Sequence, residues 1–357
     1  MSLPLQEREM AVVGCGPAGL CAAITAAKAG ADVVVLDEND RAGGQLVKQI
    51  HRFFGSRRHG AGKRGYEIAG ELARESAAAG VEMRLGNTVL GLFPGGEMMV
   101  EDRDGVYVLR ARAVVVATGA SEKGLAFPGW TLPGVMGAGA AQTLVNLHGI
   151  LPGRRVLMVG AGNVGLIVSY QLLQAGAEVV GILDVSDRVG GYEVHRLRVQ
   201  REGVPFYLGH RVVEARGQGG VEEVSVEEAG GGSHKVFRAD AVCLAVGLSP
   251  LAELAAMRGC RMVYSRELGG FMPWHDGDMR TDRPGVYVAG DAAGVEEASV
   301  AMEEGRMAGL SAAEDLGTLG RKDVERAKDE VRRFLWELRG GPYGEAKRRA
   351  KEDVHCA

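Results

Sequence analysis

Two stretches of this chain are written to one plan. Residues 10–37 read MAVVGCGPAGLCAAITAAKAGADVVVLD, and residues 156–184 read VLMVGAGNVGLIVSYQLLQAGAEVVGILD. Each holds an apolar run, a G-x-G-x-x-G turn, a helix-periodic apolar stretch, an A-G-A turn, a second apolar run and an acid. The first glycine and the A-G-A glycine stand 16 residues apart in both, Gly14 to Gly30 and Gly160 to Gly176. The likeness continues downstream. Residues 89–119 and 213–247 both read as a β-meander with polar turns, and both close on a buried strand stopped by glycine, RARAVVVATG and RADAVCLAVG. Short strands alternating with helices predict parallel sheets built from βαβ units. The chain is therefore α/β, with two related domains.

The second copy begins before the first is finished. TDRPGVYVAGDAAG, at 281–294, supplies another Pro-Gly turn and buried strand, and a helical stretch follows. The simplest arrangement inserts a second domain, 122–275, into a first made of 1–121 and 276–318. The charged tail, 319–357, carries Phe334, Leu335, Trp336 and Leu338 in one stretch. It reads as a surface amphipathic helix, either packed on its own domain or offered to a partner.

Of 357 residues, 55 are glycine, about twice the usual share of roughly 7%. With no three-residue period and 46% hydrophobic content, neither collagen nor a disordered chain is written here. Backbone must instead come close to something at many positions. A net charge of −4 argues against nucleic-acid binding. The five cysteines (15, 21, 243, 260, 356) contain no CxxC and no paired spacing, so neither a disulfide framework nor a metal site is expected. Residues 156–177 carry no charge, but their glycine cluster and Asn163 argue against a membrane span. The N-terminus lacks a signal-peptide layout, and a cytoplasmic protein is expected.

Gly14, Gly16 and Gly19, with Pro17 and Ala18 between them, form the first fingerprint. Such glycines permit a tight turn, close approach to a pyrophosphate, and close helix–strand packing. The phosphates would then sit on the free N–H groups of a helix N-terminus. Asp37, 23 residues beyond Gly14, stands where a carboxylate holds ribose hydroxyls. Gly160, Gly162 and Gly165, with Asn163 and Val164, form the second fingerprint, and its acid is Asp184. A carboxylate there would repel a 2′-phosphate, which favours NAD over NADP. Gly247, ending the second meander, would serve the same site.

These motifs are similar to those of the flavoproteins with two dinucleotide-binding domains, the pyridine nucleotide-disulfide oxidoreductase superfamily. Asp37-Glu38 followed by Arg41-Ala42-Gly43-Gly44-Gln45, then Ala117-Thr118-Gly119, then Val288-Ala289-Gly290-Asp291 resemble that superfamily's three FAD segments. The resemblance implies two Rossmann-like domains of three layers (ββα), the second inserted in the first. It also implies that Asp37 holds the adenosine ribose and that Gly43, Gly44 and Gln45 line the flavin approach. Thr118 and Gly119 would pass the adenine side, with Val89 counted among the cofactor-lining residues. Asp291 would meet the ribityl and pyrophosphate region. A helix starting near Glu297-Ala298-Ser299 would aim its N-terminus at the flavin C2 carbonyl. More narrowly, FPGWTLPGVMGAGAAQTLVNLHGILPG (127–153), AVGLSPLAEL (245–254) and GVEEASVAMEEGR (294–306) resemble the pyridine-nucleotide-binding subunits of amine and imino-acid dehydrogenases. Those include subunits of sarcosine oxidase, L-proline dehydrogenase, opine oxidase and hydrogen cyanide synthase. Implied are FAD, NAD(H), a second flavoprotein dehydrogenase subunit, an iron–sulfur protein and an oligomeric complex.

The departures narrow the chemistry. Thioredoxin-reductase-like relatives carry a CxxC where this chain has Gly137-Ala138-Gly139-Ala140-Ala141-Gln142. Residues 43–55 hold no cysteine either. Dithiol relay needs two thiols that meet, so disulfide reduction is not expected. Individual chemistry falls to the stretch after the double glycine, where Lys48, Arg52, Arg57, Arg58, Lys63 and Arg64 stand with His51 and His59 and no acid. Lys48 and His51 are the candidate catalytic residues, against a solvated basic loop or a subunit interface. Many active relatives place a glutamate shortly after the second fingerprint, where this chain has Leu166-Ile167-Val168. That favours a nucleotide-binding scaffold subunit as one alternative; a stand-alone NADH oxidase or diaphorase acting directly on a small molecule is another.

Overall fold

The computed structural model describes residues 3–53 and 56–357, the side chains of 342 and 343 set aside. The chain divides into two compact units, Met1–Ser121 with Ser249–Ala357, and Glu122–Leu248. The second is inserted in the first.

In the first unit, β1 (Leu5–Val13) runs into the Gly14 turn and α1 (Pro17–Lys28). Pro17 suits the first helical turn, where its missing N–H has no partner to lose, and alanines carry the helix on. After β2 (Val33–Asp37) and a 3₁₀ turn, Gly44–Lys48, come α2 (Gly65–Ala78), β3 (Glu82–Leu85) and a meander of β4 (Thr88–Leu92), β5 (Glu97–Asp102) and β6 (Gly105–Val116). The sheet order is β3-β2-β1-β6-β5-β4, with a strand from the chain's last third also on β6. β3, β2, β1 and β6 run parallel, and the meander pairs antiparallel.

Alternate residues of the buried strands serve two faces. Met10, Val12, Val33, Val35, Ala113 and Val115 pack with the helices, among Leu20, Ile24, Met307 and Leu310. Ala11, Val13, Val34, Leu36, Val114 and Val116 pack against the meander side, among Leu92, Met98, Val100 and Leu109. Covering both faces explains why these strands read as unbroken apolar runs.

The chain leaves through β7 (Ala120–Glu122), and the second unit follows with β8 (Val135–Gly137), α3 (Ala138–His148), β9 (Arg155–Val159), α4 (Asn163–Gln174), β10 (Glu178–Asp184), α5 (Glu193–Arg201) and β11 (Phe206–Leu208). Then come the meander β12 (His210–Arg216), β13 (Glu223–Glu228) and β14 (His234–Arg238), and β15 (Ala241–Leu244). The parallel sheet is ordered β11-β10-β9-β15-β8, with the meander as a separate sheet. Its two faces again carry separate cores, Val156, Met158 and Cys243 on one, Leu157, Val159 and Val242 on the other.

Return comes through β16 (Leu248–Pro250), followed by α6 (Glu253–Met257), the hairpin β17 (Met262–Ser265) and β18 (Gly270–Pro273), β19 (Val286–Val288), α7 (Ala298–Leu316), α8 (Arg321–Leu338) and α9 (Gly341–Cys356). Residues 249–275 thus fall in the first unit, not in the inserted domain expected at 122–275. The reason is local: Leu251 exchanges hydrogen bonds with Gly119 and Thr118, and Ala255 and Cys260 sit in the meander-side core. The tail is two helices, broken at Gly340-Gly341. α8 buries Val324, Lys328, Val331 and Leu335 at helical spacing and leaves Trp336 exposed. α9 buries Ala350, Lys351 and Val354.

Candidate functional site

Three distant segments converge on the first turn of α1. Gly14 takes φ +105°, and a Cβ there would lie 2.2 Å from the Ala117 carbonyl oxygen. A Cβ on Gly19 would lie 1.9 Å from the Gly14 oxygen, on Gly44 2.8 Å from Gly16 Cα, and on Gly290 2.8 Å from Ala18 Cβ. Gly14, Gly16, Ala18, Gly19, Gly43, Gly44, Ala117 and Gly290 are thereby gathered into one cradle. Gly43 N–H donates to the Cys15 carbonyl at 2.8 Å and Ala117 N–H to that of Val13 at 2.8 Å.

Asp37 closes the turn from the end of β2. Its Oδ2 accepts from Cys15 N–H at 2.6 Å, and its Oδ1 from Asn39 N–H at 2.8 Å. Neither α1 nor α7 has a side-chain cap or an acid in its first turn, so their N-terminal N–H groups suit an anion. The close-set backbone and the carboxylate fit the diphosphate and ribose of FAD.

Asp291 opens a 3₁₀ turn, Gly290–Ala293, before α7. It accepts from Glu296 N–H at 3.2 Å, and burial, with the nearby Glu304 and Glu296 charges, pushes its pKa up to about 6. Glu297 caps α7 by its backbone and is exposed, while Ala298 and Ser299 open the helix half-buried. Thr118 hydroxyl donates to the Leu251 carbonyl at 2.5 Å. Val89 pairs with Val100 in the meander, its side chain against that core. Glu38 and Gln45 are exposed on the loop.

The second unit repeats this geometry. Gly160 has φ +112°, and its Cβ would lie 2.2 Å from the Ala245 oxygen. That of Gly165 would lie 2.0 Å from the Gly160 oxygen. Asp184 Oδ2 accepts from Ala161 N–H at 2.7 Å and Oδ1 from Ser186 N–H at 2.9 Å. Nothing stands within 4 Å of a Cβ on Gly162. Val164 is exposed beside it, and Gly247, at φ +115°, accepts from Lys123 N–H.

This second cradle has one element that the fingerprint spacing does not disclose. Gly190 and Gly191 N–H donate to the Ala161 carbonyl, as Gly43 does to Cys15. A Cβ on Gly191 would lie 3.0 Å from Asn163 N, and Asn163 Oδ1 accepts from Tyr192 N–H. The sequence does carry a signal for it: DENDRAGG (37–44) and DVSDRVGG (184–191) share the acid, the arginine and the double glycine at identical spacing.

Lys48 ends the Gly44–Lys48 turn, half-buried, and His51 stacks on Phe53 at 5.4 Å. Part of the basic stretch is paired with acids from elsewhere in the fold. Arg58 and His59 reach the fully buried Glu303 at 2.9 and 2.7 Å, Arg58 also reaches Glu330, and Lys63 pairs with Glu71. Residues 54 and 55 lie outside the described residues. Burial, joined by the Asp37 charge, pushes the Cys15 thiol up to about 12, and burial raises Cys21 to about 11 and Cys243 to about 12. These thiols are not thiolates at neutral pH, and thiolate is the reactive form.

Two cradles, one inside the other's sequence, define a class. The pyridine nucleotide-disulphide oxidoreductase family matches residues 8–305, and the chain belongs to it. It is an FAD- and pyridine-nucleotide-binding oxidoreductase. Within that class it is 33% identical to an opine oxidase subunit of Agrobacterium tumefaciens over 92% of this chain and 70% of the relative. It is 30% identical to hydrogen cyanide synthase subunit HcnB of Pseudomonas aeruginosa over 84% and 69%. Its fold is similar to that of L-proline dehydrogenase from P. horikoshii, with TM-score 0.72 and 21% identity over 93% of this chain and 60% of that one. No helix among the described residues is long and apolar enough to cross a membrane.

Proposed function

We propose that this chain is the FAD- and NAD-binding subunit of an amine- or amino-acid-oxidising complex. It would move electrons between NAD(H), flavin and a partner dehydrogenase subunit, with any iron–sulfur centre carried by another chain. The observation that carries this reading is the paired cradle, Gly14–Gly19 with Asp37 and Gly160–Gly165 with Asp184, in a protein whose buried thiols are isolated and protonated. The subunit relatives support the partner.

When bound, flavin supplies reversible two-electron chemistry and the nicotinamide a hydride. The chain's part is placement. Asp37 and Asp184 would hold ribose hydroxyls, the α1 and α4 N-termini the diphosphates, and Gly43-Gly44 and Gly190-Gly191 their far sides. The α7 N-terminus favours negative charge on the flavin's pyrimidine edge. Lys48 and His51 are proposed as the cation and proton carrier beside it.

The test is anaerobic titration of the purified flavoprotein. NADH bleaching the flavin, with NADPH at least tenfold weaker, is the expected result; a chain that takes up no FAD defeats the proposal. A second reading is adenine-nucleotide binding in the second unit without hydride transfer. It is favoured by the apolar Leu166-Ile167-Val168 after the fingerprint, where Leu166 and Val168 are fully buried. Tight ADP binding with no bleaching by NADH would establish it.

A further inference from the structure

The family match ends at residue 305, yet the chain's last nineteen residues grip the Gly290–Glu297 segment. Lys351 is 1% exposed. Its Nζ donates to the Ala293 carbonyl at 2.9 Å and pairs with Glu304 at 2.7 Å. Lys347 donates to the carbonyls of Val295, at 2.7 Å, and Glu267. Arg339, just past α8, holds the Glu296 carboxylate with two nitrogens, at 2.6 and 3.0 Å, and also pairs with Glu304. Glu304 in turn accepts from Gly290 N–H at 3.0 Å. Gly290, Ala293, Val295 and Glu296 are thus each tied, directly or through Glu304, to a buried or half-buried cation of the C-terminal segment. Apolar contacts seat α9, with Ala350 and Val354 in a small core with Leu268 and Met272 of the hairpin region.

We propose that the C-terminal segment 339–357 is a built-in clamp on the third flavin segment, with Lys351 and Arg339 as positioning residues that preset Asp291 and the start of α7 for FAD. This rests on the reading of 290–299 as a flavin-holding segment. The physics favours presetting over simple packing. The Ala293 carbonyl accepts from the buried Lys351 ammonium and the Val295 carbonyl from the half-buried Lys347 ammonium, and charge-assisted bonds of this kind hold backbone more tightly than apolar contact does. Glu304 would be raised by burial alone, but the Lys351 and Arg339 charges hold it well below the usual carboxylate range. Glu304 is therefore held as a carboxylate between the two cations. A segment fixed before its ligand arrives loses less entropy on binding.

The experiment is FAD binding to deflavinated full-length protein, by fluorescence quenching, with visible circular dichroism of the bound flavin. Wild type is compared with Lys351→Met, Lys347→Met and the control Lys328→Met. Lys328 is equally buried but pairs with Asp278 and Glu314, away from the segment. Expected are FAD dissociation constants raised at least tenfold for Lys351→Met and about threefold for Lys347→Met, with an altered flavin dichroism. Lys328→Met should lower the melting temperature and leave FAD affinity within twofold. Equal affinity in wild type and both clamp variants would overturn the clamp alone. Equal weakening in Lys328→Met would reduce it to general stability and overturn it too. Should Lys351→Met not fold, the half-buried Lys347 decides. Wild type that binds no FAD would defeat the flavin reading instead.

Discussion

Asp291 sets stability against function at one atom group. It is half-buried, accepts one backbone N–H, and has its pKa pushed up to about 6 from 3.8 as a free side chain. A carboxyl whose pKa is raised by folding favours the folded protein when protonated. That contribution is full below about pH 4 and is lost as pH rises through about 6. The rise corresponds to about 3 kcal/mol at neutral pH. Asp291→Asn should therefore raise the melting temperature of the FAD-free protein at pH 7.5 and leave it little changed at pH 4. The same variant should weaken FAD binding at least tenfold. Thermal melts at the two pH values, with a flavin titration, check both halves. An apoprotein no more stable at pH 7.5 would mean that Asp291 is not desolvated as described. Residues of this kind are only half legible from sequence. Asp37, Asp184 and Asp291 stand out because they sit at fixed distances from glycines. The charge state of Asp291 is not legible, because Glu304 and Lys347 reach it from helices that pattern alone leaves unplaced.

At the scale of elements, the contact between α1 and α7 sets how closely the cradle's two sides approach. A Cβ on Gly305 would stand 2.1 Å from the Ala18 oxygen, and on Gly309 2.4 Å from that of Ala22. Both neighbours are backbone and cannot swing aside. Gly305→Ala should push the helices apart at a cost of about 2 kcal/mol, typical of overpacking. It should also loosen FAD, since Gly290 rests on Ala18. Gly70→Ala is the matched control: in α2 its Cβ meets only the flexible end of Arg74 at 3.3 Å, so helix propensity should stabilise it by about 0.5–1 kcal/mol. Denaturant melts and retained flavin after gel filtration separate the two. If Gly305→Ala behaves like Gly70→Ala, the helices are not in contact as described. Element existence is legible here because both fingerprints lie between apolar runs of clear period. The tail is less so. A run such as RKDVERAKDEVRR reads as a solvated face, whereas Lys328 is buried on Asp278 and Glu314. Those partners lie 50 and 14 residues upstream, outside any helical period. The second double glycine, by contrast, is written plainly in the sequence, but it lies beyond the acid that closes the fingerprint, where the repeat loses its apolar period.

At the scale of the whole molecule, each unit carries its own pair of cores. The clusters around Met10 and Ala11 lie in the first unit and those around Met158 and Leu157 in the second. Separate cores with separate ligands should melt as separately shifted transitions. A ligand at a hundred times its dissociation constant adds about 2.7 kcal/mol to the unit that binds it, which is about 6 °C for the larger first unit and about 10 °C for the second. FAD should therefore raise one calorimetric transition by about that much, and NADH the other. Gly160→Ala forces a Cβ to 2.2 Å from the Ala245 oxygen at positive φ, and Gly14→Ala does the same against Ala117. Gly160→Ala should abolish the NADH shift and keep the FAD shift; Gly14→Ala should do the reverse. A single transition moved by both ligands in either variant would mean that the two cradles do not bind independently. A chain whose NADH shift survives Gly160→Ala but disappears in Gly14→Ala would place both nucleotides in the first unit, and the repeat would then have kept its shape in the second copy without keeping its ligand.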